Sequence, residues 1–151
     1  MKKLFKYLGF GLLSVIIFFV GVFIFSAIVG VDKEEVFIPY IEKTTPKLIT
    51  WEIDEYKKVM SGEGFEAATP EQWSLYLNNF SKLGIYKSMG TPTLENYKTM
   101  SGVSDGVTSY AVYLVPLEFN TGSAHVRLTL GHNNEKTEVH GAQFLSDLLL
   151  E

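Results

Sequence analysis

The sequence predicts an α+β domain carried behind one transmembrane helix. Three observations point there: an uncharged apolar run at residues 8–31, two helix-like segments that each open on Thr-Pro, and a series of β-forming segments after them. Helices first and strands after is the order of an α+β domain rather than of alternating βαβ units.

The apolar run is LGFGLLSVIIFFVGVFIFSAIVGV, 24 residues without a charge. As a helix it reaches roughly 36 Å at 1.5 Å per residue, and a bilayer core needs about 20 apolar residues. A cleaved signal peptide is the rival reading. Its apolar region runs about 7–15 residues before a small-x-small site, and SAIVGVD offers a poor one. Lys2, Lys3 and Lys6 precede the run, while Asp32, Glu34 and Glu35 follow it. The positive-inside rule then places residues 1–7 in the cytoplasm and the remainder outside. The bilayer is thus an expected partner through residues 8–31, in a bacterial inner or plasma membrane. Ser26 and Gly30 form one small-xxx-small pair in the run.

Of the 13 basic residues, three are the N-terminal lysines, which leaves ten against 17 acidic beyond residue 31: a net charge of −7. Nucleic acid rewards the opposite sign and is excluded as an expected partner. The chain has no cysteine, so disulfides and thiolate metal sites are excluded.

Residues 32–45 are expected to be a junction with a helical turn or two, limited by Pro39. The domain proper is expected over 46–151. Thr45 caps and Pro46 opens a first helix to about Met60, with Ile49, Ile53, Tyr56 and Met60 on one stripe and Trp51 alongside. Thr69, Pro70 and Gln72 form the start of a second, with a capping box. Trp73, Tyr76, Leu77 and Phe80 make its apolar face, and Gly84 is expected to end it in the left-handed conformation. A short one-sided helix of this kind implies a flat apolar surface for it to lie on.

That surface is expected to be a curved antiparallel meander of about four strands: residues 85–100 (interrupted by Gly90-Thr91-Pro92), 107–119, 123–131 and 136–144. Asn120-Thr121-Gly122 and Asn133-Asn134 are hairpin signals. Two-residue turns at Thr121-Gly122 and Asn133-Asn134 pair Leu117 with Val126, Val115 with Leu128, and Leu128 with Val139. Tyr113, Val115, Leu117, Val126, Leu128, Leu130 and Val139 then share the helix-facing side. The other side is mixed: Tyr110, Val112, Leu114, Glu118, His125, Arg127, Thr129, Glu138 and His140.

The segment TPEQWSLYLNNFSKLGIYKSMG resembles the signature of uncharacterised bacterial exported domains, in which a Glu-Gln-Trp helix leads into Leu-Gly and then the first long strand. The matching residues are Glu71, Gln72, Trp73, Leu83, Gly84 and Ser88, within a resemblance that covers about 44–146. It implies a fold similar to the cystatin-like and nuclear-transport-factor-2-like (NTF2-like) group. Relatives often carry an arginine soon after Leu-Gly; this chain has Ile85-Tyr86-Lys87.

The candidate binding residues are those of the mixed face: Glu118, His125, Arg127, Glu138 and His140. In the expected register His125 faces Glu118, which could poise a general base, and His140 lies opposite Arg127 with Glu138 diagonal, a possible anion seat. His132 is expected exposed in a turn. No nucleophile accompanies these groups, so no catalytic residue is assigned. The histidine spacings of seven and eight do not suit a metal site, and no cofactor is expected. Two readings of different class follow. One is a non-enzymatic, membrane-tethered module that binds a membrane or extracytoplasmic protein through the mixed face or an edge strand. The other is a small-ligand carrier or enzyme with a pocket between helix and sheet that uses Glu118, His125 and His140.

Overall fold

The computed structural model describes residues 31–102, 106–134 and 136–149. The expected span, its Ser26–Gly30 pair and the N-terminal lysines lie outside the described residues. Among the described residues no helix is long and apolar enough to cross a membrane.

The first helix, α1, spans Lys33–Leu48 and runs straight through Pro39 and Pro46. The expected junction is therefore a sixteen-residue helix. A proline inside a helix costs about 3 kcal/mol. Phe37, Ile41 and Leu48 are each fully buried, and each such burial stabilises by roughly 1.5–3 kcal/mol, so packing overrides the proline. Asp32 starts the helix by accepting the Glu34 and Glu35 N–H groups at 3.0 and 3.1 Å.

The expected helix 46–60 is split. α1 ends at Leu48 and α2 covers only Ile53–Val59. In between, Thr50 Oγ1 donates to the Lys47 carbonyl at 2.8 Å. Trp51 takes a positive φ of 60°, a region that bulky residues rarely enter. What holds it there is aromatic packing: its ring lies 4.8 Å from Phe144, 6.2 Å from Phe80 and 6.4 Å from Phe119. The short α3 follows at Gly62–Glu66.

The helix α4, Pro70–Phe80, forms as its sequence dictates. Thr69 N–H donates to Gln72 Oε1 at 2.8 Å and Gln72 N–H returns to Thr69 Oγ1 at 3.3 Å. Trp73 and Leu77 are buried, and Phe80 packs on Phe144 at 5.5 Å. A 3₁₀ turn, Ser81–Leu83, finishes it. Gly84 has φ 88° and ψ −145°, so it is not the left-handed cap expected. It is needed for close approach instead, because a Cβ there would overlap the Asn120 carboxamide oxygen.

The sheet has five antiparallel strands rather than about four: β1 Tyr86–Met89, β2 Thr93–Gly102, β3 Gly106–Phe119, β4 Gly122–Asn133 and β5 Lys136–Leu145. The order is β1-β3-β4-β5, with β2 also on β3. Phe119 pairs with Gly122, so the β3–β4 turn is Asn120-Thr121, one residue earlier than expected. Asn120 is committed there: it accepts the Ile85 N–H at 2.7 Å and donates its own N–H to the Ile85 carbonyl at 2.9 Å. Each β3–β4 pair moves by two residues in consequence: Val115 meets Val126, Leu117 meets Ala124 and Tyr113 meets Leu128. The β4–β5 register moves by two separately, since Asn133 pairs with Lys136 instead of lying in the turn, and Leu130 meets Val139. A two-residue shift keeps every side chain on its face. All seven residues expected to face the helices are buried, none more than 2% exposed.

Candidate functional site

The corrected register separates the mixed-face residues. Pro116, not Glu118, lies opposite His125, and Glu118 lies opposite Ser123, whose Oγ donates to Glu118 Oε1 at 2.7 Å. Both Glu118 and His125 are exposed. Arg127 faces Gln143, not His140. His125 pairs with Leu145, five residues along β5 from His140, or roughly 15 Å at strand rise. Glu118, His125 and His140 therefore do not converge.

Two irregularities decide where the remaining polar groups point. The β2–β3 register shifts between Leu94 and Asn96, which leaves Glu95 as an extra residue. It reaches across β3 to Arg127, with Nε to Oε2 at 2.7 Å and Nη2 to Oε1 at 3.2 Å. The guanidinium bond holds the Glu95 carboxyl below the usual carboxylate range and raises Arg127. The second shift lies between Thr129 and Leu130 and leaves His140 as the extra residue of β5. Bulges re-aim side chains in this way.

His140 is half-buried, packs edge-on against Tyr110 at 5.4 Å and covers Gly131 so closely that a Cβ there would overlap its ring. Its Nδ1 is 3.3 Å from Ser61 Oγ. That hydroxyl is buried and already accepts the Gly64 N–H at 3.1 Å as the cap of α3. The pair joins a helix start to the sheet; the serine is not presented to solvent as a nucleophile. Glu138 is bound by Lys136 at 2.6 Å and shares with Tyr110 and His140 a cleft of about 500 Å³. Among the described residues no three His, Asp or Glu side chains converge on a metal position.

His132 also differs from expectation. It lies in β4, half-buried, with Nδ1 2.8 Å from Thr137 Oγ1 and its ring 6.4 Å from Phe37.

A cleft of about 700 Å³ lies between α1 and the β1–β2 connection. Glu34, Ile38 and Glu42 form its helical wall, Met89, Pro92 and Leu94 the opposite side, and Tyr113 its floor. The Tyr113 hydroxyl donates to the Lys33 carbonyl at 3.3 Å, and burial raises its pKa. Sequence reasoning missed this cleft because residues 32–45 were expected to be a junction. The i, i+4, i+8 spacing of Glu34, Ile38 and Glu42 was the available signal.

The two outer edges of the sheet are unlike. Along β5, Met60 bridges Val139 and Ser61 N–H donates to the Val139 carbonyl at 2.7 Å. Further on, the Tyr76 hydroxyl donates to the Ala142 carbonyl at 2.7 Å and accepts the Phe144 N–H at 3.4 Å. Burial pushes the Tyr76 phenol up to about 12, opposed by the Phe144 N–H. Along β2, nine of the ten residues pair with β3 on one side, Glu95 being the bulge, and all ten but Tyr97 are exposed.

Compared with family models, curated proteins and solved structures, the chain finds no match.

Proposed function

We propose that the chain is a single-pass membrane-anchored, extracytoplasmic interaction module without catalytic activity, whose α+β domain is of the cystatin-like or NTF2-like kind. The observation that supports it best is the contrast between a sealed β5 edge and a β2 edge that no element among the described residues covers. An unpaired strand offers a row of N–H and C=O groups to another chain. The apolar run at 8–31 supports the tether. The wide separation of Glu118, His125 and His140 removes the acid–base set on which an enzymatic reading would rest.

The test is affinity capture from gently solubilised native membranes by the full-length chain, tagged at its C-terminus, and by residues 32–151. The expected outcome is one stoichiometric partner held by both forms. A partner lost with residues 1–31 moves the contact to the anchor and overturns the role given to the domain.

The 700 Å³ cleft favours a second reading, a small-ligand carrier, since ligand sites usually measure about 300–1,000 Å³. Its lining is that of α1 and the β1–β2 connection, so the site would differ from the mixed face. Native mass spectrometry of the purified chain tests it: a retained small molecule supports the carrier, and a mass equal to that of the bare chain sinks it.

A further inference from the structure

We propose that β2 pairs antiparallel with β2 of a second copy of this chain, about a two-fold axis at Thr99, which joins two five-stranded sheets into one. This goes beyond the reading above and does not rest on the tether.

The strand itself sets the register. The bulge at Leu94–Asn96 ends its regular part on one side and Gly102 ends it on the other. The regular segment is therefore 96–102, with Thr99 at its centre. Pairing this segment with itself uses its whole length. It places Thr99 opposite Thr99, Lys98 opposite Met100, Tyr97 opposite Ser101 and Asn96 opposite Gly102. Threonine pairs are favourable across strands and like charges directly opposite are not. Moving the axis to residue 98 sets Lys98 against its own copy. Moving it to residue 100 shortens the regular pairing by two residues. The residue-99 axis is the one of these three that keeps full length and sets no like charges directly opposite.

The side chains suit the contact. Alternation puts Lys98 and Met100 on the open face and Tyr97 and Thr99 on the helix face. Tyr97 donates its hydroxyl to Ser109 Oγ at 3.1 Å and accepts from Thr99 Oγ1 at 3.2 Å, so the helix-face side is already ordered. The Lys98 ammonium lies 5.6 Å from the centre of the Tyr110 ring, which lays its stem along the sheet. Met100 is 52% exposed and would lie directly opposite the partner's Lys98. A seven-residue pairing buries little area, so the dimer is weak in solution. Repulsion between two domains, each of net charge −7 over residues 32–151, opposes it, and added salt is expected to strengthen it.

The absence of cysteine makes the register directly testable in the full-length chain, purified in detergent. Strands in an antiparallel pair hold opposed Cα atoms about 4.5–5.5 Å apart, within disulfide reach. Thr99→Cys is expected to oxidise to a covalent dimer in several-fold higher yield than Leu75→Cys, an exposed control on α4. Asn96→Cys is expected to match the control, because its own copy lies six residues away, roughly 20 Å. Met100→Glu places a carboxylate opposite Lys98 twice and is expected to raise the dimer fraction in sedimentation; Met100→Lys is expected to abolish it. Circular dichroism melting, unchanged in each variant, shows that the fold is kept. The proposal is overturned if Thr99→Cys crosslinks no better than Leu75→Cys, as it would if β2 takes a strand of a different protein. It is equally overturned if Asn96→Cys crosslinks as well as Thr99→Cys, or if the two Met100 variants behave alike.

Discussion

β5 and β2 are both outer strands of ten residues, yet one is sealed and the other is open. The chain closes β5 with two elements from its helical half: Met60-Ser61 at Val139, and the Tyr76 hydroxyl at Ala142 and Phe144. A tyrosine that accepts one backbone N–H and donates to one carbonyl substitutes for a neighbouring strand over two residues. β2 has a bulge and Lys98, which limit indiscriminate edge pairing, but no covering element among the described residues. The lesson is that an edge can be blunted by side chains alone, or closed by backbone partners, and only the first leaves room for a specific strand.

The comparison breaks most severely at Trp73, which anchors α4 over β5. It is 7% exposed, donates Nε1–H to the Phe65 carbonyl at 2.9 Å and stacks on Phe65 at 5.4 Å. Trp73→Ala is expected to cost about 3–5 kcal/mol, read by urea unfolding, and to raise hydrogen exchange along β5 without changing β2. Equal loss of protection on both strands would contradict the separate closure of β5.

A milder break is Tyr76→Phe. It keeps the ring and removes the bonds to Ala142 and Phe144, with an expected loss of about 1–2 kcal/mol and faster exchange at the Phe144 amide. The same residue carries a pH signature. Burial raises the Tyr76 phenol to about 12 from an ordinary 10.0, and raises Tyr56 as well. A folded pKa above the unfolded one gives stability that is complete below pH 10 and declines as pH rises through the folded value. Melting temperature against pH is expected to fall above about 10, and less steeply in Tyr76→Phe. A wild-type profile flat to pH 12 would remove the buried phenols from the account.

The smallest effect is expected on the open side. The Glu95–Arg127 pair is solvent-exposed, so Glu95→Gln should leave the melting temperature unchanged. The Glu95 carboxyl is held below its ordinary range by Arg127, so whatever the pair contributes is present at neutral pH and lost as pH falls through the lowered value. Arg127→Gln is expected to return Glu95 to the ordinary range in an NMR titration; an unchanged titration would deny the contact in solution.

Much of the fold was legible because it is local. The Thr69–Gln72 capping box and the alternation that buries Tyr113, Val115, Leu117, Val126, Leu128, Leu130 and Val139 need only neighbours a few residues away. The candidate site was less legible. Glu118, His125, Arg127, Glu138 and His140 were placed by strict period-two alternation and a turn centred at Thr121-Gly122. The two bulges break that alternation at the residues with the most specific polar contacts, Glu95 and His140. A bulge leaves no mark in composition, because it costs one backbone pairing and is chosen by the contact it permits across the sheet.

The sequence by itself determined the class of the domain, the faces of β3, of β4 and of β5 up to its bulge, and the position and start of α4, since caps, turns and alternation are short-range. Tertiary structure alone decided that α1 continues through Pro39, that Trp51 adopts a positive φ, that Asn120 pulls the β3–β4 turn one residue back, and that β5 is closed while β2 is not. Each of these depends on free energy gained between residues far apart in the chain. Buried apolar area, ring contacts and backbone partners there outweigh a local cost of a few kcal/mol.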